Sequence, residues 1–328
     1  MIKFKEMYIN GNYVVTSNEY GKSRSFCTLR LGEDFQPDFP DSIDLKITNK
    51  CSHGCTYCHE SSTLTGRSFD LEETKKILDG LPNKGIEIAI GGGNILECYD
   101  EFESLLDFCR EKNFYTRATI NVRDFLKSQE NLEKIDTLVR SNRLGAVGIS
   151  IENYSQVKEL KDSFNLSPDF YISCVGSGRS VFHIIIGVFP VSDLINLVKQ
   201  CSLNGNGVLI LGFKSFGRGS GKTVDKDIIF SWREELSRIL MDFRFKINQE
   251  FSLGFDNLAI DQLELRDLVL KSEWDKFYLG RDFSHTMYVD AVNKTYAPTS
   301  RSPLNERTSW SDVESIVEYF RNNHNKWS

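Results

Sequence analysis

Three cysteines crowd into one short loop, Cys51-Ser-His-Gly-Cys55-Thr-Tyr-Cys58, with C-x3-C-x2-C spacing. Thiolates hold iron–sulfur clusters, and a loop of this length can wrap three corners of a four-iron cube. Three protein ligands leave the fourth iron open to a small molecule, by the logic that keeps catalytic metals incompletely ligated. Gly54 lets the backbone turn tightly where a cluster approaches. Two other readings stand beside this one. Zinc could take the three cysteines with His53 or His59, although His59 adjoins Cys58 and is badly placed to share its metal. A four-thiolate electron carrier would have to recruit Cys27 or Cys98 through the fold.

The elements around the loop must position it. Residues 1–42 alternate polar and apolar in short pieces around Asn10-Gly-Asn and Tyr20-Gly-Lys, which predicts a small β-hairpin extension. From Ile43 strands alternate with amphipathic helices. Residues 43–48 form a strand that ends at the cysteines. Asp70 then caps a helix, with Glu73 three residues on and a face of Leu71, Ile77, Leu78 and Leu81. Residues 86–90 are the next strand and end in Gly91-Gly-Gly-Asn94. Phe102, Leu105, Leu106 and Cys109 give the following helix. Further strands are predicted at 115–120, 146–151, 181–188 and 208–213, with helices at 132–139 and 194–201; a short helix near 155–162 and a strand at 171–175 are less regular. Repeating β-α units imply a parallel sheet with right-handed crossovers. About six units make this a partial (β/α)6 TIM-type barrel of α/β class, short of the eight of a full barrel. The expected organisation is a β extension over 1–42, the partial barrel over 43–220 and an α+β cap over 221–328.

The triplet after the first strand, Tyr57 just before its third cysteine, and Gly91-Gly-Gly-Asn94 after the second strand together resemble the radical S-adenosylmethionine (SAM) superfamily. The resemblance covers about residues 43–215 and implies one [4Fe-4S] cluster on Cys51, Cys55 and Cys58, with SAM chelated at the open iron. Electron transfer into the sulfonium would cleave a C–S bond, and the 5′-deoxyadenosyl radical would abstract hydrogen from a substrate C–H bond. It further implies that Tyr57 packs near the adenine and that Gly91, Gly92 and Gly93 approach the methionyl amino group. Where the family often has an acidic residue and then proline, this chain has Gly93-Asn94, so the amino contact would fall to backbone carbonyls or Asn94. Thr119 and Asn121 would bind the methionyl carboxylate; Ser150 and Glu152 would meet that carboxylate or the ribose hydroxyls. Residues 286–300 resemble the hairpin that begins the C-terminal module of peptide-modifying relatives. With no cysteine after Cys201, a cluster-free SPASM/twitch-like cap is expected. A small flavodoxin- or ferredoxin-type protein would supply the electron.

Lys214 and Arg218, in a glycine-rich loop after the sixth strand, suit a carboxylate or phosphate of the substrate, or else form a solvated basic loop. His183 reads as a hydrogen-bonded core histidine. Cys98, Cys109 and Cys201 sit at helical positions and read as packing residues. Cys174 is a minor candidate for radical chemistry near the substrate. The chain has 328 residues, eight cysteines and a formal net charge of −6. A secreted disulfide scaffold would be shorter and denser in cysteine. The longest apolar run, residues 181–189, is interrupted by His183 and is far below the roughly 20 residues that span a bilayer. Charges break the N-terminal stretch where a signal peptide needs apolar residues. A cytoplasmic protein without membrane contact is expected, with a peptide or protein as first choice of substrate. A nucleotide or nucleic-acid base is the second, with the acidic charge against it. A compact glycyl-radical activating enzyme would lack the C-terminal extension. A non-catalytic iron–sulfur or zinc protein would need neither the glycine motif nor the polar strand ends.

Overall fold

A computed structural model describes residues 4–20, 23–30, 36–164, 179–245, 252–278 and 280–324. The chain forms two compact units. One comprises Met1–Thr119, Ser141–Gly145 and Gly280–Ser328, and the other Ile120–Arg140 and Ala146–Leu279.

The first unit begins with an antiparallel sheet of β1 (Phe4–Asn10), β2 (Tyr13–Tyr20) and β3 (Ser23–Arg30). Only glycine fits its first turn: Gly11 has φ +56°, and an added Cβ would sit 1.6 Å from the Gln36 carbonyl oxygen. Next come β4 (Ser42–Thr48), α1 (Leu71–Asp79), β5 (Glu87–Gly92), α2 (Tyr99–Glu111) and β6 (Tyr115–Asn121). The Asp70 carboxylate accepts from the Glu73 N–H (3.0 Å), so the predicted cap is present. Strands β4, β5 and β6 pair in parallel. Ile43, Leu45, Ile47, Ile88 and Ile90 are buried, as are Leu78, Phe102, Leu105, Leu106 and Cys109 on the helices. On β5 buried positions alternate with more open ones, and Asp44 is exposed on β4, so these strands bury one face more completely than the other. Later in the chain, β11 (Thr286–Asp290) pairs in parallel with β4, and β12 (Thr295–Ala297) and β13 (Thr308–Ser309) follow antiparallel. Helix α10 (Ile316–Asn323) closes the unit, capped by the Ser315 side chain.

The second unit holds α3 (Val122–Lys127), α4 (Gln129–Arg140), β7 (Ala146–Ser150), α5 (Tyr154–Phe164), β8 (Ser180–Ile185), α6 (Val191–Asn204) and β9 (Gly207–Leu211). It continues with α7 (Lys226–Phe245), β10 (Ser252–Phe255), α8 (Asn257–Gln262) and α9 (Lys271–Phe277). Strands β7 to β10 pair in parallel, neighbour to neighbour. Val147, Ile149, Phe182, Ile184, Val208 and Ile210 are fully buried, as are Leu194, Leu197, Trp232 and Leu236 of the helices.

The fold is α/β with mostly parallel strands, as expected. Within the 221–328 segment, strand β10 extends the parallel run beside β9, and β11 pairs with β4. No helix among the described residues is long and apolar enough to cross a membrane. The strand expected at 171–175, with Cys174, lies outside the described residues.

Candidate functional site

The cysteine loop leaves β4 and is tied at its base by backbone hydrogen bonds. The Cys51 N–H donates to the Thr63 carbonyl (2.8 Å), the Thr63 N–H to the Asn49 carbonyl (3.0 Å) and the Asn49 N–H to the Arg67 carbonyl (2.8 Å). Inside the loop the Cys58 N–H reaches the Cys55 carbonyl (3.3 Å). Gly54 takes φ +65° with open space beside it, the left-handed turn that glycine makes without strain. Cys51, Cys55 and Cys58 form no disulfide and are half-buried, as is Tyr57.

The glycine element is locked against this loop. The Gly93 N–H donates to the Thr48 carbonyl (2.6 Å) and the Asn94 N–H to the Lys50 carbonyl (2.7 Å). A Cβ on Gly92 would lie 2.4 Å from the Thr48 oxygen, and one on Gly93 would lie 2.3 Å from the Lys50 oxygen. Glycine is required at both because β5 ends in backbone contact with the entry to the cysteine loop. Gly91 differs: nothing lies within 4 Å of its Cβ position. Asn94 is buried and serves as a cap, its side-chain oxygen accepting from the Leu96 N–H (3.0 Å). One acidic residue was not singled out from sequence. The Glu97 carboxylate accepts from the Ser52 N–H (2.8 Å) and so joins the glycine element to the cysteine loop.

Burial first pushes the Cys51 thiol up, and the charges of Cys55, Cys58 and Glu97 add to it, against a lowering hydrogen bond from the His53 backbone. Three thiolates in one loop would need positive countercharge, which the irons of a cluster supply. Among the described residues no three His, Cys, Asp or Glu side chains converge as a single metal ion requires. A cluster does not demand that convergence, because each cysteine takes a different iron. His59 approaches Glu60 (3.5 Å), which gives its ring a partner other than a metal. The donor set therefore fits a cluster better than zinc.

Thr119 also belongs to the first unit, exposed on β6. The other expected cofactor and substrate residues lie in the second. The Asn121 side-chain oxygen caps α3 by accepting from the Arg123 N–H (3.0 Å). Ser150 ends β7, half-buried, and Glu152 pairs with Arg123 (2.5 Å) while its N–H donates to the Gln156 side chain (2.7 Å). Lys214 and Arg218 are half-exposed on a loop braced by α8. The Asp256 carboxylate accepts from both the Gly212 N–H (2.9 Å) and the Ala259 N–H (2.7 Å). Gln262 exchanges two hydrogen bonds with the Phe213 backbone, at 2.8 and 2.9 Å. Arg123, Asp256 and Gln262 escaped the sequence reading; a helix-capping aspartate before Asn257-Leu was the available signal for one of them.

His183 is not a core histidine. It is half-buried on the same face as its register partner Ser150, and its ring lies over Gly148, where a Cβ would meet it at 2.3 Å. The apolar residues on both sides of it concealed the alternation between a buried and a more open face. Cys98, Cys109 and Cys201 are buried as expected. Burial pushes Cys98 up to about 11 and the other two up to about 12, which leaves them unreactive thiols.

Known proteins resemble this chain in sequence and in fold. The Radical SAM superfamily profile matches residues 45–188. An uncharacterised protein of Methanocaldococcus jannaschii is 30% identical over 112 residues, 33% of this chain and 37% of that protein. The chain thus spans little more than a third of that curated relative. Among solved structures, Streptococcus suis SuiB with bound S-adenosylmethionine superposes with TM-score 0.60 at 14% identity, over 88% of this chain and 67% of that one. SuiB bound to its precursor peptide SuiA gives the same TM-score and identity, over 88% and 66%. At that identity the likeness establishes the fold. The cysteine loop and the glycine element both fall inside the segment that matches the Radical SAM superfamily, residues 45–188.

Proposed function

We propose that this chain is a radical SAM enzyme that acts on a peptide or protein, with one [4Fe-4S] cluster on Cys51, Cys55 and Cys58. One observation carries the reading: three half-buried thiols share a loop whose base is fastened, backbone to backbone, to a strand ending in Gly91-Gly-Gly. When bound, the cluster supplies the electron that breaks a C–S bond of SAM and yields a radical able to take hydrogen from carbon. The chain's own residues hold and orient. Gly91 leaves open space beside the strand, so that ligand atoms can approach the backbone. Glu97 and Asn94 fix the turn that follows, and Tyr57 offers an aromatic face for the adenine. Thr119, Asn121, Ser150 and Glu152 are the polar groups offered to the methionyl carboxylate and ribose; Arg123 orients Glu152, and the Asn121 amide nitrogen remains for a ligand while its oxygen caps α3.

The peptide assignment is supported by the precursor peptide in the SuiB complex and by the hairpin of β11 and β12 at 288–297. Lys214 and Arg218 suit a carboxylate of such a substrate. We divide the chain into a 1–42 extension, a 43–220 partial barrel and a 221–328 cluster-free cap. We place it in the cytoplasm, with a flavodoxin- or ferredoxin-type donor. Anaerobic reconstitution should give a brown protein with about four irons. Zinc in their place sinks the reading. Deuterium passing from a labelled candidate peptide into 5′-deoxyadenosine would support the substrate class, and passage from a nucleotide instead would overturn it.

A further inference from the structure

Four charged side chains are buried together beside the cysteine loop. Lys46 of β4 and Asp290 of β11 are register partners, and their side chains meet at 3.2 Å with exposures of 4% and 0%. Arg307, 6% exposed, reaches the same Asp290 oxygen at 2.7 Å. The fourth member, Glu60, comes from the cysteine loop itself, two positions after Cys58. It is 10% exposed, binds Lys46 at 2.5 Å through one oxygen, and accepts from the Tyr288 hydroxyl at 3.0 Å through the other. Tyr288 lies under the Arg307 guanidinium (4.9 Å). Asp290 also accepts from the Val292 and Asn293 N–H groups (3.1 and 3.0 Å) and from the Asn293 amide (2.9 Å), which fixes its carboxylate.

A plain seam between β4 and β11 would not need this set. Taking charges out of water costs several kcal/mol per ion, and apolar residues of similar volume often serve as well or better. The Lys46–Asp290 pair alone would hold the strand register. Glu60 does something further: it fastens the segment that carries Cys58 to both strands at once. Its carboxylate is also a buried charge close in sequence to the thiols, in surroundings where Coulomb interactions are weakly screened.

We infer that Glu60 is a positioning residue, which docks the cysteine loop on Lys46 and Tyr288 and holds down the reduction potential of the cluster bound there. The inference rests on the cluster reading above. Reduction adds negative charge to the cluster, so a nearby carboxylate opposes it and a nearby ammonium favours it. The network thus carries two opposed levers, Glu60 and Lys46, on one site.

The test is a redox titration, followed by electron paramagnetic resonance, of the reconstituted full chain and its variants. Glu60→Gln keeps the shape and one accepting oxygen for Lys46, turns its amide N–H to the Tyr288 hydroxyl oxygen, leaves Lys46 on Asp290, and should raise the midpoint potential. Lys46→Met should lower it. The double variant keeps the Asp290–Arg307 pair and should return towards wild type. If Lys46→Met does not fold, Glu60→Gln and the double variant still decide. Iron loss to a chelator should be at least tenfold faster in Glu60→Gln, because the loop has lost its charged anchor. A merely structural role changes iron retention without moving the potential, so an unchanged or lowered potential in Glu60→Gln overturns the inference. The two failures are separable. A wild-type chain that takes up no iron overturns the cluster reading and this inference with it. A chain that loads four irons at an unchanged potential in both single variants overturns this inference alone.

Discussion

Replacing Gly93 by alanine probes whether the glycine element is a packing lock or an ordinary strand end. The added methyl would lie 2.3 Å from the Lys50 carbonyl oxygen, 2.9 Å from its carbon and 3.1 Å from the Asn49 carbon. All three are backbone atoms at the entry to the cysteine loop, so no side chain can swing aside. Ordinary contact begins near 3.4 Å, and the strand end must open by about 1 Å. Two backbone hydrogen bonds sit in that gap, Gly93 to Thr48 (2.6 Å) and Asn94 to Lys50 (2.7 Å). Overpacking of this kind costs about 1–3 kcal/mol, and weakened hydrogen bonds about 0.5–1.5 kcal/mol each. A loss of about 2–6 kcal/mol follows, together with poorer cluster loading because Lys50 adjoins Cys51. Gly91→Ala is the control. With nothing within 4 Å it should leave stability within about 0.5 kcal/mol of wild type. Its methyl would instead occupy the space offered to the cofactor and weaken SAM binding about tenfold. Urea denaturation of the metal-free proteins and equilibrium SAM binding to the reconstituted ones measure both effects. Equal stability for Gly93→Ala and Gly91→Ala would refute the lock.

Cys55→Ala should reduce bound iron from about four per chain to background; retention of iron would remove Cys55 from the ligand set. Gly148→Ala should cost about 1–3 kcal/mol by driving a methyl into the His183 ring, and His183→Ala in the same chain should recover most of it. Additive losses in that double-mutant cycle would show that the ring does not pack there. Asp41, which accepts from Tyr13 (2.5 Å) and Asn10 (2.8 Å), is pushed up to about 6 by burial, against the lowering of those hydrogen bonds. The stability of its protonated folded form is fully present below the ordinary 3.8 and is lost as pH rises through about 6. Lowering the pH from 7 to 5 should therefore add about 1 kcal/mol to wild type that Asp41→Asn does not gain; identical pH profiles would contradict the assignment.

Much of this arrangement was legible because local signals agreed. The Asp70 cap, the i, i+3, i+4, i+7 face of α2 and the apolar strands before each loop all point one way, and the structure follows them. Spacing alone brought the cysteines forward, and the glycines drew notice by repetition. Other features depended on contacts between distant segments. Lys46 and Asp290 are ordinary charged residues until β11 pairs with β4. Glu97 is one helix-turn glutamate among many until it meets the Ser52 N–H. Helix α3 was missed because it is only six residues long and depends on the Asn121 cap rather than on an apolar period. That same cap occupies the oxygen of Asn121, a residue whose place at the strand end suggests only a carboxylate ligand. His183 shows the reverse difficulty: six consecutive strand residues, Ser180–Ile185, hid which face was open.

The most direct test is the fate of SAM itself. The reconstituted wild-type chain, reduced under anaerobic conditions, should convert S-adenosylmethionine to 5′-deoxyadenosine and methionine, and Cys55→Ala should form neither. A four-iron wild-type protein that leaves SAM intact under reduction would contradict the account.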